Sequence, residues 1–285
     1  MPIIPISKYH GCGNDFVLAR ESDVTATGLD AADFTRAVCD RHLGIGADGT
    51  ILAGGEAAGG SGPLWMRYRN ADGSVAPMCG NGIRCLAAYC ADEGICAEGS
   101  YPIETLAGTK VVTRVSADGD PYVFKVDMGT PDWSPASLGV TATTTPIRDY
   151  ALDLPSGACV QVWALFMATD HAVILTDDAM AEKNMALGRE VCHHPLFPRQ
   201  INANFVQVTG EGSIIMRTYE RGCGPTLACG TGVCASVVVA HEAGLVGADV
   251  DVTVPGGHIH IQVNEDGHVL MSGGATRIMR GECFL

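Results

Sequence analysis

Two cysteines 150 positions apart open near-copies of one short motif, Cys79-Gly80-Asn81-Gly82 and Cys229-Gly230-Thr231-Gly232. Each copy leads into a segment with helical periodicity, 82–91 and 232–243, and the second of these ends at Gly244 in a C′ position. The likeness extends upstream, because Asn70-Ala71-Asp72-Gly73 begins nine positions before Cys79 and Glu220-Arg221-Gly222 nine before Cys229. A repeat of this length predicts two similar lobes, each with a helix that starts at its cysteine. A chain of 285 residues also exceeds the usual size of one core.

Strand signals dominate the rest. Alternating or β-branched runs, punctuated by Gly and Asp, predict strands at 3–9, 16–20, 65–70, 111–115, 122–128, 160–166, 172–175, 204–208, 213–219, 250–254, 259–263 and 268–272. Two further helices are expected over 31–40 and 178–190. The pattern predicts an α/β protein of the α+β type, with a curved, mostly antiparallel sheet wrapped around a central helix in each of two pseudo-symmetric lobes. The expected division is 1–132, carrying Cys79, and 133–273, carrying Cys229.

The charge balance excludes some partners. With 32 Asp and Glu against 18 Lys and Arg, a formal charge of -14 repels phosphate backbones and anionic lipid, so no nucleic-acid partner is expected. The apolar runs, such as 162–168, are too short to span a bilayer, and the opening residues carry no basic and apolar leader pattern, so no membrane association and a cytoplasmic location are expected. Twelve cysteines in such a chain fit a reducing compartment, and most read as small hydrophobes. Cys79/Cys85, Cys90/Cys96 and Cys223/Cys229 each enclose five residues, which is not a zinc-ligand spacing, and no metal is expected.

The cysteine motifs suggest chemistry. Glycines allow a ligand to approach the backbone, and the start of a helix offers N–H groups and the positive end of a dipole. A substrate carboxylate suits such a place, and the same field favours a thiolate by lowering a thiol from its free pKa of about 8.5. Inversion at an α-carbon needs a base on one face and an acid on the other, which two thiols can supply. The helix starts would then steady the charge that develops on the carboxylate. No dinucleotide fingerprint is present, because Gly11-Cys12-Gly13-Asn14-Asp15-Phe16 lacks the third glycine in register. No cofactor is expected.

Several segments in order resemble diaminopimelate epimerase: residues 8–16, Gly44-Ile45-Gly46-Ala47-Asp48-Gly49, Asn70 to Ser74, Cys79 to Cys85, Asn202 to Val206, Glu220-Arg221-Gly222 and Leu227 to Gly232. The resemblance implies that Cys79 and Cys229 are the acid/base pair, with His171 and Glu220 assisting their ionisation. It implies that Gly80, Asn81, Gly230 and Thr231 present N–H groups to the reacting carboxylate. Asn14, Asn70, Thr169, Asn202 and Arg221 would line the rest of the site, with Arg221 gripping a distal carboxylate. It further implies a small amino-acid substrate, a homodimer, a role in lysine and cell-wall synthesis, and a last strand (about 274–285) that returns to the first lobe.

One segment departs from the family pattern. Where Gly-Asn-Pro-His is usual, this chain has Ala168-Thr169-Asp170-His171. Asp170 is expected to be an outward turn residue; facing the site, it would favour a distal amine instead. This departure raises one alternative to diaminopimelate epimerisation, racemisation of a related amino acid such as ornithine or lysine. From a different class, the two cysteines also allow a thiol redox protein that cycles Cys79 and Cys229. A non-catalytic amino-acid-binding protein is the remaining alternative.

Overall fold

A computed structural model of the chain describes residues 2–55, 63–95, 99–116 and 121–285. The chain divides into two compact units, 1–126 with 272–285, and 127–271.

The first unit contains β1 (Ile3–Gly11), β2 (Asn14–Arg20), α1 (Glu21–Ala26), α2 (Ala31–Cys39), β3 (Gly49–Gly54), β4 (Leu64–Asn70), β5 (Val75–Ala76), α3 (Gly80–Asp92), β6 (Ser100–Thr105) and β7 (Gly108–Arg114). It is completed by β8 (Val123–Asp127), whose last residue lies beyond the unit, and by β18 (Thr276–Phe284). Strand β1 pairs antiparallel with both β2 and β18. Strand β2 runs parallel to β3, β3 antiparallel to β4, β4 parallel to β6, and β6 antiparallel to β7.

The second unit contains a 3₁₀ turn (Pro135–Leu138), β9 (Tyr150–Asp153), β10 (Cys159–Phe166), β11 (Asp170–Leu175), α4 (Lys183–Cys192), β12 (Asn202–Gly210), β13 (Ser213–Glu220) and β14 (Gly224–Thr226). There follow α5 (Gly230–Glu242), β15 (Asp249–Val254), β16 (Gly257–Val263) and β17 (Val269–Gly274), which crosses the boundary at 271. Its pairings repeat those of the first unit. Strand β10 is antiparallel to β11, β11 parallel to β12, β12 antiparallel to β13, β13 parallel to β15, and β15 antiparallel to β16. Even the short strands correspond: β5 folds back on β4 and β14 on β13, each just ahead of its cysteine.

The helices that begin at the cysteines are thirteen residues each and sit inside their curled sheets. Helix α3 is buried from Gly80 through Cys90 and packs against β1, β2, β3, β4 and β18. Helix α5 touches β10, β11, β12, β13 and β16, and within Gly230–Ala240 all residues but Thr231 are buried. A helix apolar on every side has no stable place except within a core, which explains why Val233, Val237, Val238 and Val239 can follow one another so closely.

Some local expectations need correction. Residues 178–182 lie outside the helix, which begins only at Lys183, because Asp178 Oδ1 accepts from the Met180 N–H and the Asn184 amide donates to the Asp178 and Ala179 carbonyls. Those side-chain bonds give the backbone an alternative to the helical ladder. Strand β3 is buried at all six positions, so it shows no alternation and gives no amphipathic signal.

Candidate active site

In the first unit Cys79 is the N-cap of α3. Its backbone is extended, and Sγ accepts from the Gly82 N–H at 3.4 Å. The thiol also lies 3.6 Å from Asn14 Oδ1, to which it donates. Asn14 opens β2 and is held by its amide, which donates to Asp48 Oδ2 at 2.7 Å. The Asn81 amide reaches the same Asn14 oxygen at 3.5 Å. Beneath the first turn lies Arg84, fully buried, donating at 2.9 Å to both the Gly80 carbonyl and Asn81 Oδ1. Hydrogen bonds thus join Asn14, Cys79, Gly80 and Asn81 into one group anchored on Arg84. Asn70 ends β4, where its side chain accepts from Tyr68 and donates to Ser74, holding the turn before β5.

The third residue of each central helix is glycine for a steric reason. A Cβ at Gly82 would stand 2.9 Å from Ile51 Cδ1 and 3.3 Å from Cys79 Cβ. A Cβ at Gly232 would stand 2.5 Å from Asn204 Oδ1 and 3.2 Å from Cys229 Cβ. Only glycine allows the helix start, its cysteine and the sheet to approach so closely.

In the second unit a polarised chain of hydrogen bonds ends on sulfur. Asn204, fully buried, accepts through Oδ1 from Thr218 at 3.0 Å, which directs its amide nitrogen to His171 Nδ1 at 3.2 Å and the Ala172 carbonyl at 3.1 Å. An amide donating to Nδ1 leaves the imidazole proton on Nε2, which faces Thr231 Oγ1 at 3.0 Å. The threonine hydroxyl, accepting from histidine, then turns its own proton to Cys229 Sγ at 3.5 Å. Glu220 is the other neighbour of Cys229, within reach of the thiol as an acceptor, and Thr226 anchors its carboxylate.

These surroundings set protonation. Burial pushes the Cys229 thiol well above its usual range and the negative charge of Glu220 adds to this, while the Thr231 hydroxyl and the Gly232 N–H act in the opposite direction. The helix start acts on Cys229 in the expected direction, through the Gly232 N–H, but loss of solvent outweighs it. His171 falls from 6.5 to about 3, chiefly through burial and secondarily through the nearby Arg221 charge. It is neutral at working pH. An NMR titration is expected to show its ring unprotonated from about pH 5 to 8. The unfolded chain gains a proton near 6.5 that the folded chain refuses until about 3, so His171 costs stability progressively as pH falls through that window.

Arg221 follows Glu220 and forms a second group with Thr169, Asn202 and Asp170. Its backbone N–H donates to Asn202 Oδ1 at 2.8 Å, and its guanidinium donates to Thr169 Oγ1 at 3.3 Å and the Arg199 carbonyl at 2.9 Å. Asp170 is not an outward turn residue. It is the first residue of β11, only 4% exposed, and its carboxylate is gripped by Arg199. The sequence singled out His171, Glu220, Thr231 and Arg221, but no role for Asn204, Arg84 or Arg199. Polar residues inside apolar strands and helices are the signal that marks Asn204 and Arg84.

Solved structures share this fold. A phenazine biosynthesis protein of the PhzF family from Bacillus anthracis matches with a TM-score of 0.66 at 14% identity, covering 100% of both chains. A hydroxyproline epimerase from Agrobacterium vitis matches with a TM-score of 0.67 at 14% identity over 99% of this chain and 91% of that one. The fold class is thus one in which epimerases and racemases occur. The diaminopimelate epimerase family model matches residues 6–134 and 163–278. The diaminopimelate epimerase of Methanothermobacter thermautotrophicus is 39% identical over 283 residues, and that of a Synechocystis species 41% over 284, with 98% of each chain covered in both cases. The chain belongs to the diaminopimelate epimerase family and is an isomerase.

Proposed function

We propose that this protein interconverts LL- and meso-diaminopimelate without a cofactor, using Cys79 and Cys229 as the two proton-transfer groups. The observation that carries the reading is the duplication: each unit presents a cysteine at the start of its central helix, after the same strand and turn. One sulfur, as thiolate, takes the α-proton. The other, as thiol, delivers its proton to the opposite face, and the roles exchange with the direction of reaction. Both steps conserve charge, since each turnover leaves one thiolate and one thiol.

Glu220 is the group to which Cys229 yields its proton when it acts as base, and Thr231 steadies the resulting thiolate. His171 keeps the Thr231 hydroxyl turned to the sulfur. Asn14 performs the orienting task beside Cys79. The N–H groups of Gly80, Asn81, Gly230 and Thr231 hold the reacting carboxylate, whose oxygens gain charge as the proton leaves. Asn70, Thr169, Asn202 and Arg221 bind the far end of the substrate. The protein would act as a cytoplasmic homodimer in lysine and cell-wall precursor synthesis.

Turnover of a panel of amino acids in heavy water tests this reading. Diaminopimelate should acquire deuterium at the inverted α-carbon, whereas lysine and ornithine should not react. Exchange confined to lysine or ornithine, or binding without exchange, would overturn it. A Thr231→Val variant should lose the hydroxyl donor and lower kcat by about ten- to a hundredfold, while Thr231→Ser keeps most of it. Equal rates in the two variants would remove Thr231 from the proton path.

A further inference from the structure

We propose that Asp170 and Arg199 form an ion-pair clamp that keeps the Arg221 guanidinium available for the distal carboxylate of substrate. The inference rests on Arg221 being the group that binds that carboxylate, as read above. Asp170 would otherwise be a hazard in such a place, because a carboxylate next to Arg221 competes directly with a carboxylate ligand.

The geometry removes that hazard. Arg199 engages both Asp170 oxygens, Nη2 to Oδ1 at 2.7 Å and Nε to Oδ2 at 3.1 Å, in the forked arrangement that is strongest for this pair. Arg199 is itself tied down by its bond to the Ser137 carbonyl in the 3₁₀ turn. Arg221 Nη1 makes only a longer ion pair with Asp170 Oδ2, at 3.6 Å and beyond hydrogen-bond length. Its two terminal nitrogens make one hydrogen bond each, to the Arg199 carbonyl and Thr169 Oγ1, out of the five N–H donors of a guanidinium.

Two guanidiniums and one carboxylate leave a single positive charge, and it falls on Arg221, because Arg199 is the arginine hydrogen-bonded to Asp170. A distal carboxylate completes an alternating row of substrate, Arg221, Asp170 and Arg199. A distal amine would face a net positive group. Remove Arg199, and Asp170 keeps Arg221 as its only cation in this group. The two would then close into a direct pair and exclude the ligand. Thr169, where the family resemblance leads one to expect asparagine, contributes the hydroxyl that fixes the other arm of Arg221.

The test uses the full chain and diaminopimelate. Arg199→Gln should raise KM by about tenfold or more, with kcat changed less than about threefold, because distal binding is lost before the reacting carbon is affected. Adding Asp170→Asn to that variant should return KM most of the way to the wild-type value, since the competing carboxylate is gone. A merely structural ion pair gives the opposite result: the double variant is as impaired as Arg199→Gln or worse. Either that result or an unchanged KM in Arg199→Gln overturns the clamp. Arg199→Lys, which retains charge but loses the fork, should give a smaller rise, and it carries the test should the glutamine variant not fold. A wild-type protein inert toward diaminopimelate would instead overturn the substrate reading, and the clamp with it.

Discussion

Cys79→Ser and Cys229→Ser should each reduce epimerisation by at least about a hundred- to ten-thousandfold, the usual worth of a general acid or base. Serine keeps the shape of the side chain and replaces one heavy atom by a smaller one, so the fold and the substrate-binding groups should survive the exchange. A serine hydroxyl, however, does not ionise near neutral pH, and its variant lacks a base in one direction of reaction and an effective acid in the other. Calorimetric titration should therefore show diaminopimelate binding within a few-fold of wild type in variants whose heavy-water exchange has collapsed. Retention of full activity by either variant contradicts the two-thiol reading. The two need not fail alike, because Cys229 is buried beside Glu220 while Cys79 is partly exposed beside Asn14.

Arg84→Met should destabilise the fold strongly, unlike the cysteine exchanges. It removes the donor to the Gly80 carbonyl, to Asn81 Oδ1 and, at 3.5 Å, to the Gly274 carbonyl. A buried acceptor left without its donor costs about 1–3 kcal/mol, and methionine regains part of this by sparing the burial of a charge. The net expectation is a loss of about 2–4 kcal/mol, read from urea unfolding with an unchanged m-value. Activity should fall as well, since the first turn of α3 would lose the group that fixes Gly80 and Asn81. An unaltered midpoint would mean that desolvation of the guanidinium cancels its hydrogen bonds.

Periodicity and the duplicated motif carry much of the architecture. Alternation marks β13 and β15, whose inward residues Ile214, Met216, Val250 and Val252 are buried, and the two central helices follow the cysteine motifs directly. Elements without contrast give no periodic signal, and the last strand is expected only from the family resemblance. Strand β3 is buried throughout, and β18 carries the exposed Ile278 and Phe284, so neither displays an inside and an outside in its sequence. The site divides in the same way. Residues within the motifs are legible because their spacing repeats, whereas Asn204, Arg199 and Arg84 act through partners that only folding brings near, Ala172, Asp170 and Gly274 among them. Asp170 illustrates the limit best. Beside a histidine and a strand it reads as a turn residue, and only the arginine 29 positions later turns it into one end of an ion pair.

Strand β18 lies along β1 from Phe284 opposite Ile3 to Thr276 opposite His10. Strand β1 thus lies between β2 and a strand that is synthesised long after it. All of residues 127–271 emerge before that strand does, so translation can finish the inner unit while the outer one still lacks a border. A chain without residues 276–284 would leave β1 as an open edge, inviting pairing with another copy.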